Sequence, residues 1–133
     1  MTIYLDSNIF IYALTDNNRR GLKCRELIKA IEEGKQNAAT SVLTFNEGCH
    51  VIKKLMTQEH ALAFSEKLIS TSNLTLIDIN QRVIMHAIDF IKKYNLGPAD
   101  AIHIATAFML RSEIFYSYDK DLRKVKEIVV KEL

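Results

Sequence analysis

The sequence is poor in the residue types that break or cross-link a chain. It has one proline, four glycines, two cysteines and no tryptophan among 133 residues. No linker or low-complexity segment stands out, so we expect one domain over residues 1–133. The two cysteines form no C-x-x-C pair, which argues against a disulfide framework or a cysteine-based zinc site. Cys24 and Cys49 fall at apolar positions of helical patterns and are expected to be buried free thiols.

Long hydrophobic runs and an excess of one charge are also absent. The apolar stretches end well before the roughly 18 residues that a membrane span requires. Residues 1–15 have no basic start and contain Asp6, which argues against a secretory signal. The net charge of +2 gives no global attraction to nucleic acid. We therefore expect a cytoplasmic protein, and RNA binding cannot be argued from net charge.

The order of the predicted elements indicates an α/β fold. Helical spacing of apolar residues predicts helices up to residue 14 and over about 24–31, 42–56, 61–68, 84–91 and 99–111. Between and after them, strands are predicted at residues 2–6, 37–40, 73–79, 114–117 and 128–130. Such alternation favours a sandwich in which helices flank a mainly parallel sheet of four to five strands.

The helix over residues 42–56 carries two local predictions. Its apolar residues recur at helical spacing and predict a buried face: Phe45, Cys49, Ile52 and Met56. Thr44 and Glu47 have the spacing of a capping box at the start of the helix. Glu47 lies about 200° around the helix from Phe45, and is therefore off the apolar face.

Four acidic residues stand where strands are predicted to end or helices to begin. Asp6 ends the first strand and Asp119 follows the fourth, while Glu47 and Asp100 lie near the starts of two helices. Because sites in parallel sheets form beyond the carboxyl ends of the strands, we expect these four carboxylates to converge. Each acid alone is equally well explained as a helix cap or a turn residue. Asp78 also ends a strand, and without further support it is interpreted as a turn or cap residue.

Converging carboxylates imply a cation. They repel one another, and burying one without a partner costs several kcal/mol. Oxygen ligands with room for water suit Mg²⁺ or Mn²⁺, which can activate water and stabilise charge on a phosphoryl oxygen. Phosphodiester hydrolysis is therefore the expected reaction class. The histidines show no grouping typical of metal ligands and are interpreted as structural or surface residues: His50, His60, His86 and His103.

The same segments resemble the PIN domain, and the whole chain is similar to the small VapC-type toxin ribonucleases. The family's first strand and helix resemble YLDSNIFIYAL, which contains Asp6, and its glutamate segment resembles SVLTFNE, which contains Glu47. Its Ala-rich helix resembles GPADAIHIATA, with Asp100 at the start. Its final strand and turn resemble IFYSYDKDL, with Ser117 and Asp119.

The resemblance implies a three-layer PIN-like sandwich with endoribonuclease activity that depends on Mg²⁺, or alternatively on Mn²⁺. It further implies an RNA substrate, a cognate antitoxin protein and a homodimer. By position, Asp6, Asp100 and Asp119 would hold the metal, and Glu47 would complete the acidic ring and orient or deprotonate the attacking water. Glu47 and Asp121 are alternatives as additional metal ligands, and Asp121 is the looser match to the family pattern.

Two polar residues would support this site in the resemblance, and two groups of surface residues remain open. Asn8 and Ser117 would position the carboxylates or the scissile phosphate. The basic residues of segment 120–126 are interpreted as a solvated turn, with phosphate contacts as the alternative. The 45–56 face and the 61–68 helix are interpreted as core, with a dimer or antitoxin surface as the alternative.

Other functions remain in competition. A PIN-fold RNA-processing nuclease without an antitoxin, or a PIN-type binding module without catalysis, would carry much of the same pattern. A signalling receiver domain has a similar length, but it requires paired acids after the first strand, where Asp6 is followed by Ser7. A haloacid-dehalogenase-type phosphatase requires Asp-x-Asp, and this chain has Asp6-Ser7-Asn8.

Overall fold

A five-stranded sheet runs through the middle of the protein, whose computed structural model describes residues 1–133. All four strand pairings are parallel, and the strand order is β3-β2-β1-β4-β5. The strands are β1 Thr2–Leu5, β2 Asn37–Ser41, β3 Leu74–Ile77, β4 Phe115–Tyr116 and β5 Val130–Lys131. The predicted parallel α/β architecture is therefore confirmed.

Six α-helices flank this sheet, in the predicted chain order. They are α1 Ser7–Thr15, α2 Arg19–Glu32, α3 Leu43–Leu55, α4 Gln58–Ser70, α5 Gln81–Tyr94 and α6 Pro98–Met109, and a 3₁₀ turn follows at Lys120–Lys124. Local signals explain several ends. The Asn80 side chain caps α5 by accepting from the Val83 N–H, and Asn95 ends that helix in the left-handed region with φ 54°. Pro98 occupies the first turn of α6, where its missing N–H costs nothing.

The alternation of β1 divides the interior into two cores. Ile3 and Leu5 point to one face of the sheet and pack with buried residues of α1 to α4, which form the α1–α4 core. Tyr4 points to the other face and packs with buried residues of α5 and α6, which form the α5–α6 core. The predicted deep position of α6 is confirmed, because most of its residues between 101 and 107 are buried.

Helices α3 and α4 approach each other closely at Gly48. A Cβ atom at this position would lie only 2.4 Å from Cζ of Phe64, whose ring is buried in the α1–α4 core. Real contacts of this kind are never so short, because they would overlap the van der Waals radii of both atoms. Glycine is therefore required here by space, and the close approach fixes how α3 packs.

One local prediction for α3 is wrong, and a second is confirmed only at Ile52. The capping box fails because α3 begins at Leu43, which places Thr44 within the helix, where its buried hydroxyl pairs with the Thr40 hydroxyl at 2.6 Å. The predicted buried face is displaced by about one position, since Phe45 is 50% exposed and Met56 is 38% exposed. The residues that face the interior are Thr44, Gly48 and Ile52. The short distance to neighbouring elements favours small side chains there over large apolar ones.

The remaining local predictions concern α5, the cysteines and membrane spans. On α5 the buried residues are Val83, Ala87 and Phe90, so Ile84 and Ile88 of the predicted apolar face are partly exposed. Both cysteines are free; Cys24 is buried as expected and Cys49 is only half-buried. No helix combines the length and apolar character that crossing a bilayer requires.

Candidate active site

Asp6 lies directly after β1 and is almost fully buried, with 5% of its surface exposed. It is the N-cap of α1, and its Oδ1 accepts a hydrogen bond from the Ser7 N–H at 2.8 Å. Its Oδ2 accepts a second hydrogen bond from the Ser117 hydroxyl at 2.7 Å. Asp6 therefore caps a helix and also presents its carboxylate to the carboxyl edge of the sheet. Asp6 can therefore be both a helix cap and a residue of the candidate site.

Ser117 and Asn8 connect the end of β4 to the start of α1. The Asn8 Nδ2 donates to Ser117 Oγ at 3.1 Å, and the Asp119 N–H donates to the same oxygen at 3.0 Å. Asn8 Oδ1 in turn accepts from the Tyr118 N–H at 3.3 Å. The buried Ser117 hydroxyl thus has a full set of partners and holds the Asp6 carboxylate between two strand ends. Asn8 and Ser117, the two polar residues predicted to support the site, therefore lie beside Asp6.

Glu47 and His103 meet above Asp6 from opposite layers of the sandwich. Glu47 projects from α3, and its Oε1 lies 2.5 Å from Nε2 of His103 on α6. The same Nε2 is 3.7 Å from Oδ1 of Asp6, while Nδ1 is hydrogen-bonded to the Tyr4 hydroxyl at 2.7 Å. One ligand atom from each of Asp6, Glu47 and His103 falls within 4.8 Å of the others.

Sequence reasoning missed His103, which is only 1% exposed. Two signals could have found it. His103 is three residues after Asp100, so the two side chains share one face of α6. Tyr4 is two residues before Asp6, so both point to the same face of β1. The sequence signal is therefore a histidine that shares a helix face with Asp100, together with a tyrosine that shares a strand face with Asp6.

Asp100 and Asp119 complete the acidic pocket, outside the tight group around Asp6. Asp100 lies in the first turn of α6 and is half-buried. Burial raises the pKa of Asp100 to about 6, and the charges of Asp6, Asp119 and Glu47 add to this shift. Asp6 and Asp119 follow the adjacent parallel strands β1 and β4 and so lie at the same edge of the sheet, and the charges of Asp6, Asp119 and Glu47 all act on Asp100.

The electrostatics of the group are those of crowded anions. Burial raises the pKa of Asp6, although His103 and the Ser117 hydroxyl oppose this shift. Burial would lower the pKa of His103, but its hydrogen bond to Glu47 and the charges of Asp6, Glu47 and Asp100 outweigh it and raise that pKa. Both shifts favour the protonated forms of Asp6 and His103.

The other residues considered from the sequence lie at the surface or at the edge of the α1–α4 core. Asp121 donates its N–H to Asp119, but its own exposed carboxylate pairs with Lys124 at 3.1 Å. Arg123 pairs with Glu132 at 3.6 Å, so the basic segment is partly neutralised by local ion pairs. Tyr12, Tyr116 and Tyr118 are half-buried against the α1–α4 core.

The donor set fits a hard divalent cation. Once His103 Nε2–H donates to Glu47, the groups left facing the pocket are the carboxylate oxygens of Asp6, Glu47, Asp100 and Asp119. Mg²⁺ and Mn²⁺ bind such oxygens, whereas zinc and softer metals prefer sulfur and imidazole ligands. The pocket can therefore hold a cation that polarises water and a phosphate.

This geometry defines a class of protein: a parallel α/β sandwich with four carboxylates at the carboxyl edge of its sheet. The family model described as PIN domain matches residues 3–128, which is nearly the whole chain. The chain therefore belongs to the PIN domain family. No curated protein matches its sequence.

Solved structures with similar folds come from toxin–antitoxin systems. The chain is similar to VapBC2 from Rickettsia felis bound to a promoter DNA fragment, with TM-score 0.78 and 13% identity over 100% of this chain and 99% of that chain. It is similar to VapC20 from Mycobacterium tuberculosis, a sarcin-ricin loop cleaving toxin, with TM-score 0.76 and 14% identity over 95% and 98%. A toxin–antitoxin complex from Klebsiella pneumoniae gives TM-score 0.69 and 22% identity over 98% and 99%. At such identities these likenesses establish the fold.

Proposed function

We propose that this protein is an endoribonuclease dependent on a divalent cation, and that it is the toxin of a VapBC-type toxin–antitoxin pair. The observation that carries the proposal is the meeting of four carboxylates at one sheet edge of a PIN fold, where the pKa of Asp100 is raised to about 6. Carboxylates with perturbed pKa values cluster at catalytic sites.

The chain's own residues would divide the work of binding and hydrolysis. Asp6, Asp100 and Asp119 would hold the cation, and Asp6 is already oriented by Ser117. Mg²⁺ or Mn²⁺, when bound, supplies positive charge that polarises water and stabilises a phosphoryl oxygen. Glu47 uses Oε1 for His103 and is 28% exposed, so its Oε2 is available to accept a proton from the attacking water.

The substrate and the partners are proposed from the similar structures. VapC20 is described as cleaving the sarcin-ricin loop, and several neighbours are complexes with an antitoxin. A structured RNA substrate and a cognate antitoxin therefore suit this chain. An apolar groove of about 500 Å³ between α1, α2 and α4, lined in part by Phe10, Leu14 and Phe64, offers a surface for such a protein. A homodimer is proposed from the resemblance of the sequence to VapC-type toxins, and α5 exposes apolar side chains that would suit such an interface: Ile84, Met85 and Ile88.

The first experiment tests nuclease activity directly. Purified protein is incubated with structured RNA in Mg²⁺, in Mn²⁺ and in EDTA, and the cleaved ends are mapped. We expect cleavage that requires the cation and leaves a 5′-phosphate and a 3′-hydroxyl. Asp78→Asn is the matched control, because Asp78 also follows a strand but is exposed and outside the pocket. Cleavage that continues in EDTA, or at the wild-type rate in Asp6→Asn, would contradict the proposal.

A second experiment tests the toxin role separately. The protein is induced in cells with and without a small reading frame encoded beside its gene, and growth and RNA ends are followed. We expect growth arrest that the neighbouring protein relieves through a stable complex. An active nuclease whose induction leaves growth unchanged would instead favour an RNA-processing role.

A further inference from the structure

His103 is the member of the cluster to which the proposed function gives no task. We propose that it is a positioning residue: its Nε2–H donates to Glu47 Oε1 and fixes that carboxylate over Asp6, ready for the cation. This inference rests on the proposed function, because it names a determinant of the same site. It assigns His103 no contact with substrate or cation.

The imidazole is held from its far side by the central strand. Its Nδ1 is 2.7 Å from the Tyr4 hydroxyl, and Tyr4 is completely buried in β1. The Tyr4 ring stacks on Phe115 of β4 with centroids 5.0 Å apart, and meets the imidazole edge-on with centroids 5.8 Å apart. Because Tyr4 is fixed by the sheet and by Phe115, the direction of Nε2 is fixed as well.

The direction of the hydrogen bond to Glu47 follows from the partners. A carboxylate only accepts hydrogen bonds, so Nε2 must carry the hydrogen that lies between it and Oε1. With Nε2 protonated, neutral His103 accepts from the Tyr4 O–H through Nδ1. The imidazolium form would donate through both nitrogens. The bond to Glu47 is therefore present in either charge state, and the positioning role requires no titration.

Glu47 is the acid that most needs such a bond. Asp6 has a short side chain held by Ser7 and Ser117, but Glu47 has one more rotatable bond and its side chain is 28% exposed. Its only hydrogen bond within the chain is the one from His103. Fixing a long side chain in advance removes the entropy cost that the cation would otherwise bear, which is how residues behind a ligand raise metal affinity.

The same bond joins the two layers of the sandwich. Glu47 belongs to α3, which packs in the α1–α4 core through Ile52, whereas His103 belongs to α6 of the α5–α6 core. Direct ligation by His103 would require a bare Nε2 and would leave Glu47 without its partner. The geometry therefore favours a role that acts through Glu47.

The test measures Mn²⁺ binding to the full chain without RNA, by calorimetry or by the spin-resonance signal of free Mn²⁺. His103→Asn is too short to reach Glu47 and should weaken Mn²⁺ binding about tenfold, the lower end for residues that orient a ligand. His103→Gln places an amide N–H near the position of Nε2 and should stay within about threefold of wild type. His86→Asn, a histidine change on α5 away from the pocket, is the matched control and should change nothing.

A double-substitution cycle separates positioning from a general effect on folding. In a Glu47→Ala background, His103→Asn should produce less than about a twofold further change in Mn²⁺ affinity, because the residue through which it acts is gone. A tenfold loss that persists in this background would overturn the inference. So would equal losses for His103→Gln and His103→Asn, or wild-type affinity in His103→Asn.

The failures of the two proposals are distinguishable. If wild-type protein binds no Mn²⁺, the proposed function fails and this inference fails with it. If wild-type protein binds Mn²⁺ and cleaves RNA but His103→Asn binds Mn²⁺ equally well, the inference alone fails. Circular dichroism of each variant checks the fold, and His103→Gln keeps the test decisive if His103→Asn is unfolded.

Discussion

Asp6 and Asp100 lie in the same pocket, yet the chain holds their carboxylates differently. Asp6 is 5% exposed and accepts hydrogen bonds from the Ser7 N–H and the Ser117 hydroxyl. Asp100 is half-buried at the start of α6 and accepts no hydrogen bond within the chain. The Asp6 side of the pocket is therefore held by hydrogen bonds within the protein, whereas the position of the Asp100 carboxylate is set by the start of α6.

This difference bears on the free-energy cost of burying each carboxylate. Around Asp6, hydrogen bonds and His103 offset part of the cost of burial. Around Asp100, burial and the neighbouring anions act together, which raises its pKa to about 6. The hydrogen bonds from Ser7 and Ser117 therefore fix the Asp6 carboxylate, whereas no such bonds fix Asp100.

The largest expected effect tests whether the two sides are equally necessary. Asp6→Asn and Asp100→Asn should each reduce RNA cleavage by at least about a thousandfold, because several kcal/mol of transition-state stabilisation by the cation would be lost. Single-turnover cleavage rates at saturating Mg²⁺ measure this. A variant that keeps cleavage within about tenfold of wild type would show that its carboxylate is dispensable for holding the cation.

A smaller effect is expected when the frame around Asp6 is weakened. Ser117→Ala removes a hydrogen bond to a buried carboxylate and should lower the free energy of unfolding by about 1–2 kcal/mol near neutral pH. Cleavage should fall about tenfold, because Asp6 loses orientation but remains present. Urea unfolding and cleavage rates check both values. Unchanged stability would mean that Asp6 is held without Ser117.

The Asp100 side should show the opposite sign of stability change. The pKa of Asp100 is about 6 in the fold against a reference value of 3.8, so the folded state binds more protons between these values. The stability that Asp100 contributes is present below about pH 4 and lost as the pH rises through 6. At pH 7 without metal, Asp100→Asn should be more stable than wild type by about 1 kcal/mol, after allowance for screening at a half-exposed group. Thermal unfolding in EDTA at pH 4 and pH 7 tests this, and a wild type that is the more stable at pH 7 would contradict it.

The smallest effect is expected for Asp121, an acid outside the comparison of Asp6 with Asp100. The carboxylate of Asp121 pairs with Lys124 at the surface, with 68% of the Asp121 side chain exposed. Asp121→Asn should change stability by less than about 0.5 kcal/mol and leave cleavage within about twofold of wild type. A tenfold loss of cleavage would restore Asp121 as a ligand of the cation.

Much of the fold could be predicted from the sequence because its signals are local. The order of strands and helices follows from apolar periodicity, and the acids at strand ends follow from the rule for parallel sheets. Periodicity failed on α3, where it ranked Phe45 as buried and passed over Gly48. The inward face there is decided by the distance to neighbouring elements, which hydropathy does not contain.

The part of the site that sequence reasoning missed depends on distant partners. His103 stands among apolar residues of α6, and its partners Tyr4 and Glu47 are 99 and 56 positions away in the chain. The spacing of His103 from Asp100 and of Tyr4 from Asp6 is visible in the sequence, but the pairing of His103 with Tyr4 and Glu47 appears only in the fold. The identity of the cation, the RNA substrate, the homodimer and the cytoplasmic location stay predictions.

Gly48 follows Glu47 directly on α3. The glycine at the close approach of α3 and α4 is therefore next to the acid with the longest side chain of the four. If a methyl group at this position pushed α3 away from Phe64, the glutamate would be carried with the helix, away from Asp6. A genetic selection for inactive variants should therefore return changes at Gly48 together with changes at the acids. Such survivors would have lost no reactive group, only the fit between two helices.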